Sequence, residues 1–365
     1  MSQNPVIKVG IVGFGRSGCC IHADAIAKMR DRFEVVAICD PLPDRRNHPE
    51  FPAARPYGDI DALLTDPEVE LVVVAPPNYL HAQYAIRSLE AGKHVLCEKP
   101  FGFTTLDVDA MIAAAERANK ILQPFQQRRY EEDFQKVLEV CRSGVLGRIT
   151  FIRHSLCGFG RRWDWQTTRQ FGGGQLYNNL PHHLDHAIAL FGDAEPEVWC
   201  RFDNALSSGD AEDQVRMLLS GPDAPLIEIE FLATAALPVD RWFVCGTAGT
   251  LKGSLTEIEW KYVDWTKMPP RPLDIRPTEG RTYNREDLEW QTGSWKAAVV
   301  ADAGAGAVPA SKPVEKLYNG LYRSIREGKP QEITPREIRR RVAVMQKCYE
   351  INGVPFPAGT LVKEQ

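Results

Sequence analysis

The sequence has no run of the roughly 18 apolar residues that a membrane span needs. It also has no strongly basic segment: 44 Lys and Arg face 48 Asp and Glu, a net charge of −4. A nucleic-acid partner would need a clustered Lys/Arg field, so that class is set aside along with the membrane. The nine cysteines are scattered, with only Cys19 and Cys20 adjacent and no CxxC pair. In a reducing compartment they read as small core hydrophobes. The N-terminus runs straight into a strand-like stretch, without a basic n-region or cleavable apolar segment, and a cytoplasmic protein is expected. No internal repeat is visible. What remains is an ordinary globular composition, 365 residues with 44% hydrophobic and 25% charged, long enough for two domains.

Through residue 125, short apolar runs (6–12, 35–39, 71–75, 94–97, 121–125) alternate with amphipathic stretches at 21–29, 79–90 and 106–118. Near-continuous Val, Ile and Leu suit strands buried on both faces, and the alternation predicts an α/β fold with a doubly wound parallel Rossmann sheet. Thr104 and Thr105 are N-cap candidates, and Ala91-Gly92 ends the helix before them. From residue 126 the rhythm changes. A helix at 130–142 leads into side-to-side alternation: Ile227, Ile229 and Phe231 against Glu228 and Glu230, then Ile258, Trp260 and Tyr262 against Glu259 and Lys261. Period two predicts a large, mostly antiparallel open sheet in an α+β domain. The expected division is 1–125 for the dinucleotide and 126–365 for substrate binding and oligomerisation. Residues 267–281 read as a long surface loop, 301–310 as a flexible Gly/Ala stretch, and 314–327 and 335–349 as closing helices.

Gly13-Phe14-Gly15-Arg16-Ser17-Gly18 is a Gly-x-Gly-x-x-Gly between a strand and a helix. Gly13 permits the tight turn, Gly15 lets backbone approach a pyrophosphate, and Gly18 lets helix pack on strand. The helix N-terminus adds free amides and positive partial charge. A merely structural turn would need none of the surrounding alternation. Asp40 ends the next strand, about 20 residues on, where a carboxylate accepts from the adenosine ribose and repels a 2′-phosphate. That favours NAD. Arg45 and Arg46, just beyond, keep NADP open unless they are only solvated surface groups.

Cys97-Glu98-Lys99-Pro100 sits at the carboxyl end of a later strand, where open α/β sheets place ligands. Taken with Val74-Ala75-Pro76-Pro77-Asn78-Tyr79-Leu80-His81 before it, this pattern resembles the Gfo/Idh/MocA family of glucose–fructose oxidoreductase, inositol dehydrogenases and relatives. Gln127-Arg128-Arg129-Tyr130 is similar to that family's entry to its second domain. The run Gly172-Gly173-Gly174-Gln175-Leu176-Tyr177-Asn178-Asn179-Leu180-Pro181-His182-His183-Leu184-Asp185 resembles its Gly-Gly-Gly-x-Leu-x-Asp-x-Gly-x-His-x-x-Asp. The resemblance implies that Lys99 is catalytic and that Asn78 and His81 line the nicotinamide side, with Ala75, Pro76 and Glu98 beside them. It further implies His182 as the proton-transferring partner, with Asn178, Arg128 and Asp185 at the substrate. Two positions depart from the pattern: Asn178 stands where many members carry aspartate, and Leu180 where they carry glycine. Asn178 cannot take a proton, which leaves a Lys–His mechanism rather than a Lys–Asp–His relay.

Trp163 and Trp165, within Arg161-Arg162-Trp163-Asp164-Trp165-Gln166, offer aromatic faces beside polar groups, as a polyol prefers; a loop pinned by two buried indoles is the alternative. His182 and His186, one turn apart, could share zinc with Asp185, but no glutamate follows the first histidine, and no metal is expected. Asp185 would otherwise pair with an arginine or hold a histidine tautomer. The expectation is an NAD(P)-dependent oxidoreductase moving a hydride to or from a secondary carbinol of a sugar, inositol or related polyol. Lys99 would hydrogen-bond the reacting oxygen and His182 would accept or return the proton. The competing classes are a lyase or glycosidase that oxidises only transiently, and a non-catalytic sugar sensor. Family members pair through the second sheet, so a homodimer or homotetramer is implied.

Overall fold

The computed structural model describes residues 5–361 apart from 238, 279, 281, 303–305 and 310–311, with side chains left aside at 300–302 and 306–309. The first sheet is built from β1 (Ile7–Val12), β2 (Phe33–Cys39), β3 (Arg55–Tyr57), β4 (Leu71–Val74), β5 (His94–Cys97) and β6 (Leu122–Pro124). Its strands are parallel in the order β3-β2-β1-β4-β5-β6. Val72, Val73, Val95 and Leu96 are fully buried because helices cover both faces, which is why these strands read as unbroken apolar runs. The connecting helices are α1 (Asp24–Ala27, entered through a π turn at Gly18–Ala23), α2 (Ile60–Leu64), α3 (His81–Glu90) and α4 (Thr105–Ala118). A reciprocal bond between Thr104 and Asp107 starts α4, as its capping sequence predicts. Strand order reverses between β1 and β4, so the chain leaves a crevice there at the carboxyl ends. The sequence reading missed β3, whose Pro56 suits only an edge strand.

The second half contains α5 (Glu132–Ser143), β7 (Ile149–Cys157), α6 (Gln175–Asn178), α7 (Leu180–Phe191), β8 (Glu197–Asp203), β9 (Gln214–Ser220) and β10 (Leu226–Leu232). It continues through β11 (Trp242–Gly246), β12 (Gly249–Gly253), β13 (Glu257–Val263) and β14 (Trp290–Lys296). The sheet runs β14-β13-β12-β11-β7-β10-β9-β8. Its pairs are antiparallel except β10 with β7. The inner face meets α5, α7 and the last helix, and Ile227, Ile229, Val244 and Leu251 are fully buried there. No described residue between Lys267 and Trp290 is in a strand or α-helix, and Leu273 and Ile275 are exposed, as expected of the surface loop. The Gly/Ala stretch instead contributes a two-stranded ribbon, β15 (Val299–Asp302) and β16 (Gly306–Pro309), with 303–305 and 310 outside the described residues. Of the closing helices, α8 (Pro313–Glu327) returns to the first core, where Tyr318 meets Phe33 at 5.2 Å. The last, α9 (Pro335–Ile351), packs against α4 and β8.

Candidate active site

The crevice beyond β1 and β4 opens into a cleft of about 650 Å³ that reaches the first turns of α6 and α7. Its floor is the β1–α1 loop. Gly13 sits at φ +85°, and a Cβ there would lie 2.4 Å from Pro76 N; one on Gly18 would lie 2.2 Å from Gly13 O. These two glycines close the turn and seat the helix. At Gly15 a Cβ would point into open cleft, with Arg45 Nη1 nearest at 3.9 Å. That free space over backbone amides is what a pyrophosphate requires, so the loop fits a dinucleotide. Asp40 is buried at the end of β2, accepting from Phe14 N at 2.8 Å and Leu42 N at 3.0 Å, so its carboxylate is fixed beside the loop. Arg46 Nε is spent on Asp40 O at 2.7 Å, whereas Arg45 lines the cleft.

At the other end, β4 and β5 deliver Ala75, Pro76, Asn78, His81, Glu98 and Lys99 to the cleft wall. The His81 ring bridges Pro76 O and Pro100 O at 2.9 and 2.8 Å, tying the two strand ends together. Burial lowers its pKa against the bonds to those carbonyls. Glu98 is buried beneath the cleft, 3.4 Å from His22 Nε2, and His22 Nδ1 meets Tyr318 Oη at 2.8 Å. Burial pushes the Glu98 carboxyl up, but His22, Lys99 and His81 outweigh it and hold it down to about 2. The carboxylate therefore stays ionised beneath the lysine.

Lys99 Nζ donates to Asn178 O at 2.8 Å and to Asn178 Oδ1 at 3.3 Å. Burial lowers its pKa most, Glu98 raises it, and the nearby Arg128, Arg16 and Arg162 lower it further. The neutral amine is thus brought within reach, and its two hydrogens already have acceptors. Asn178 is presented by the triple glycine. A Cβ on Gly174, at φ +99°, would lie 2.2 Å from the buried Glu212 Oε1, which accepts from Leu176 N. His182, one turn into α7, lines the cleft with one edge, while its Nδ1 lies 3.1 Å from Gln126 Nε2. Burial, then Arg128, Lys99 and Arg341, hold it well below the ordinary imidazole range.

The cleft thus gathers the sequence candidates Gly13, Phe14, Gly15, Arg16, Ser17, Asp40, Ala75, Pro76, Asn78, His81, Glu98, Lys99, Arg128, Trp165, Asn178 and His182. Gly18 lies behind it, packed on Gly13. Trp163 is 77% exposed and outside it. Asp185 is buried away from it in a two-bond pair with Arg129, at 2.9 and 2.6 Å. That is the arginine partner its sequence allowed. His186 stacks on Phe134 at 4.0 Å and gives its Nε2–H to Arg128 O, so it serves the core. The residues not anticipated as site groups are Gln127, Asp164, Gln166 and Asn179, with Arg162 held to Asp164 at 2.7 and 3.0 Å. They are neighbours of the motif residues, and that adjacency was their one visible signal. No group of three or more His, Cys, Asp or Glu among the described residues is placed to hold a metal ion.

Residues 7–126 match the profile of the oxidoreductase family with NAD-binding Rossmann fold, and residues 134–252 that of the Gfo/Idh/MocA C-terminal domain. The chain belongs to the Gfo/Idh/MocA oxidoreductase family. YdgJ of Escherichia coli, an uncharacterized oxidoreductase, is 28% identical over 87% of this chain and 94% of its own. IolW of Bacillus subtilis, a scyllo-inositol 2-dehydrogenase (NADP(+)), is 28% identical over about half of each chain, 51% and 52%. Among solved structures, the WlbA dehydrogenase of Bordetella pertussis, in complex with NADH and UDP-GlcNAcA, superposes with TM-score 0.71 at 21% identity, covering 97% of this chain and 99% of that one. This last likeness speaks to the fold. Within the described residues, no helix is long and apolar enough to cross a membrane.

Proposed function

We propose that this family member is an NAD-dependent dehydrogenase or reductase acting on a secondary hydroxyl or ketone of a sugar, inositol or related polyol. The observation that carries the proposal is Lys99. Its amine, biased toward neutrality and anchored on Asn178, stands in the same cleft as the glycine loop and Asp40. Gly13–Gly18 would hold the pyrophosphate and Asp40 the adenosine ribose, while Asn78 and His81 border the nicotinamide end. Bound there, the oxidised nicotinamide ring supplies the hydride acceptor. The chain's own work is to seat the carbinol oxygen between Lys99 and His182, and to offer Arg128, Gln166 and Asn179 to the remaining hydroxyls. Trp165 adds an aromatic face to the lining it shares with Arg128, Gln166 and Asn179.

The test is reduction of NAD(+) over a panel of inositols, aldoses and sugar acids. Net NADH with at least one of them supports the proposal. Substrate consumption without net NADH would favour transient oxidation in a lyase or glycosidase, and binding without any turnover would favour a sensor.

A further inference from the structure

The side of His182 turned away from the cleft is held by two residues from distant parts of the chain. Gln126 and Arg341 are both buried, at 0% and 1% exposure. Arg341, on α9, donates from Nη1 to Gln126 Oε1, and also to Pro181 O at 3.3 Å. Behind it lies Asp185 Oδ1 at 3.9 Å, itself clamped by Arg129. A guanidinium has donors only, so the oxygen of the Gln126 amide must face Arg341. The amide nitrogen is therefore the atom that meets His182 Nδ1 at 3.1 Å, with Pro181 O at 3.4 Å as its other partner. An NH₂ group donates and does not accept, so His182 Nδ1 must carry the lone pair. The ring's single hydrogen is then on Nε2, for which the described residues show no hydrogen-bond partner, in a side chain that lines the cleft.

We infer that Gln126 and Arg341 are positioning residues that lock His182 as a neutral Nε2–H hydrogen-bond donor toward the reacting oxygen, which leaves Lys99 as the group that takes the proton. This division rests on the dehydrogenase reading above and reverses the roles that the motif alone suggests. Protonating His182 would set an Nδ1–H against the Gln126 amide hydrogens, so the network opposes an imidazolium; the burial and surrounding cations described above act in the same direction. Lys99 has the opposite arrangement. As a neutral amine it gives both hydrogens to Asn178, and its lone pair is free. In the oxidative direction the substrate O–H bond breaks and an N–H bond forms at Lys99 Nζ, while the carbon's hydride, with its electron pair, goes to the oxidised dinucleotide. His182 Nε2–H stays in place and stabilises the oxygen as charge develops on it.

The tautomer can be read without any substrate, from the imidazole ¹⁵N spectrum of the full-length protein. The protein has eight histidines, and the His182 signals are assigned by their loss in His182→Gln. The expected result is a pyridine-like shift at Nδ1 and a pyrrole-like shift at Nε2, both unchanged as the pH is lowered through the neutral range. Gln126→Glu, nearly isosteric, replaces the donor with an acceptor and should move the proton to Nδ1. A proton on Nδ1 in the unmutated protein, or a His182 that titrates like a free imidazole, overturns the inference while leaving the dehydrogenase reading intact. A second arm uses whichever polyol or sugar acid reduces NAD(+). His182→Gln retains an N–H donor and should keep most of the turnover, whereas His182→Ala should lose roughly 10²–10³-fold. Equal losses in the two variants would mark His182 as the base and sink the assignment.

Discussion

Lys99 and Asn178 form the pair on which the chemistry turns, and the amide at Asn178 sets the lysine's working range. A carboxylate there would sit within hydrogen-bond distance of an ammonium and favour its charged form. Asn178→Asp should therefore raise the Lys99 pKa, moving the limb of the oxidation pH profile that rises with pH upward by roughly one to three pH units. Turnover against pH for the two forms checks this; an unmoved limb would mean that Lys99 does not titrate in the rate-determining step. Lys99, His182 and Asp40 were legible in the sequence because each lies in a short motif whose neighbours dictate its environment. Gln126 and Arg341 were not, since their contact spans 215 residues of chain and neither sits in a recognisable pattern. Trp163 shows the opposite failure: an aromatic beside a charged pair promised a sugar-binding face, yet the loop carries it out into solvent.

Helix α7 and strand β7 bring His183, His186 and His154 into one buried block, and His182 is buried nearby at the cleft wall. His154 stacks on Trp242 at 3.7 Å and its Nε2 meets His183 Nδ1 at 2.8 Å. Burial first, and neighbouring cations second, hold all four well below the ordinary 6.5. In the unfolded chain these rings take up protons as the pH falls through 6.5, while the native fold refuses them, so stability is complete above that value and is lost below it. Each ring costs about 1.4 kcal/mol per pH unit in that window. Thermal unfolding should show a melting temperature that drops steeply between about pH 6.5 and pH 5. A flat or rising melting temperature on acidification would contradict the buried neutral block. The strand faces themselves were visible in advance, because alternation reports which side is buried. Strand direction was not, and the parallel β10–β7 pair inside an antiparallel sheet depends on chain routing that periodicity does not encode.

Across the whole molecule, the cleft joins two layers whose cores are separate, and two properties follow from surfaces rather than single contacts. The fixed Asp40 carboxylate beside the glycine loop should make NAD bind more tightly than NADP, and Asp40→Ser should narrow or reverse the gap, as titration of both dinucleotides by fluorescence will show. NADP preference in the unmutated protein would contradict it, with Arg45 then the group to examine. The open face of the second sheet carries Phe151, Trp199, Leu218 and Phe243 among Arg153, Arg216 and Lys252, with Trp199 half exposed at 50%. Such a face favours association, so light scattering at micromolar concentration should give a dimer or tetramer mass rather than a monomer. The α/β class, the sheet types and the glycine loop could be read from the sequence because each follows from local pattern. The return of α8 to the first core could not, as only packing reveals it. The central claim, that this cleft runs nicotinamide redox chemistry through Lys99, is tested most directly by Lys99→Met, with dinucleotide affinity and NAD(+) reduction measured on the same sample. The account predicts turnover lower by roughly 10²–10⁴-fold above the Lys99 limb of the oxidation pH profile, with that limb lost and NAD affinity nearly unchanged, because the dinucleotide is held by Gly13–Gly18 and Asp40. Undiminished NADH formation by Lys99→Met would contradict it.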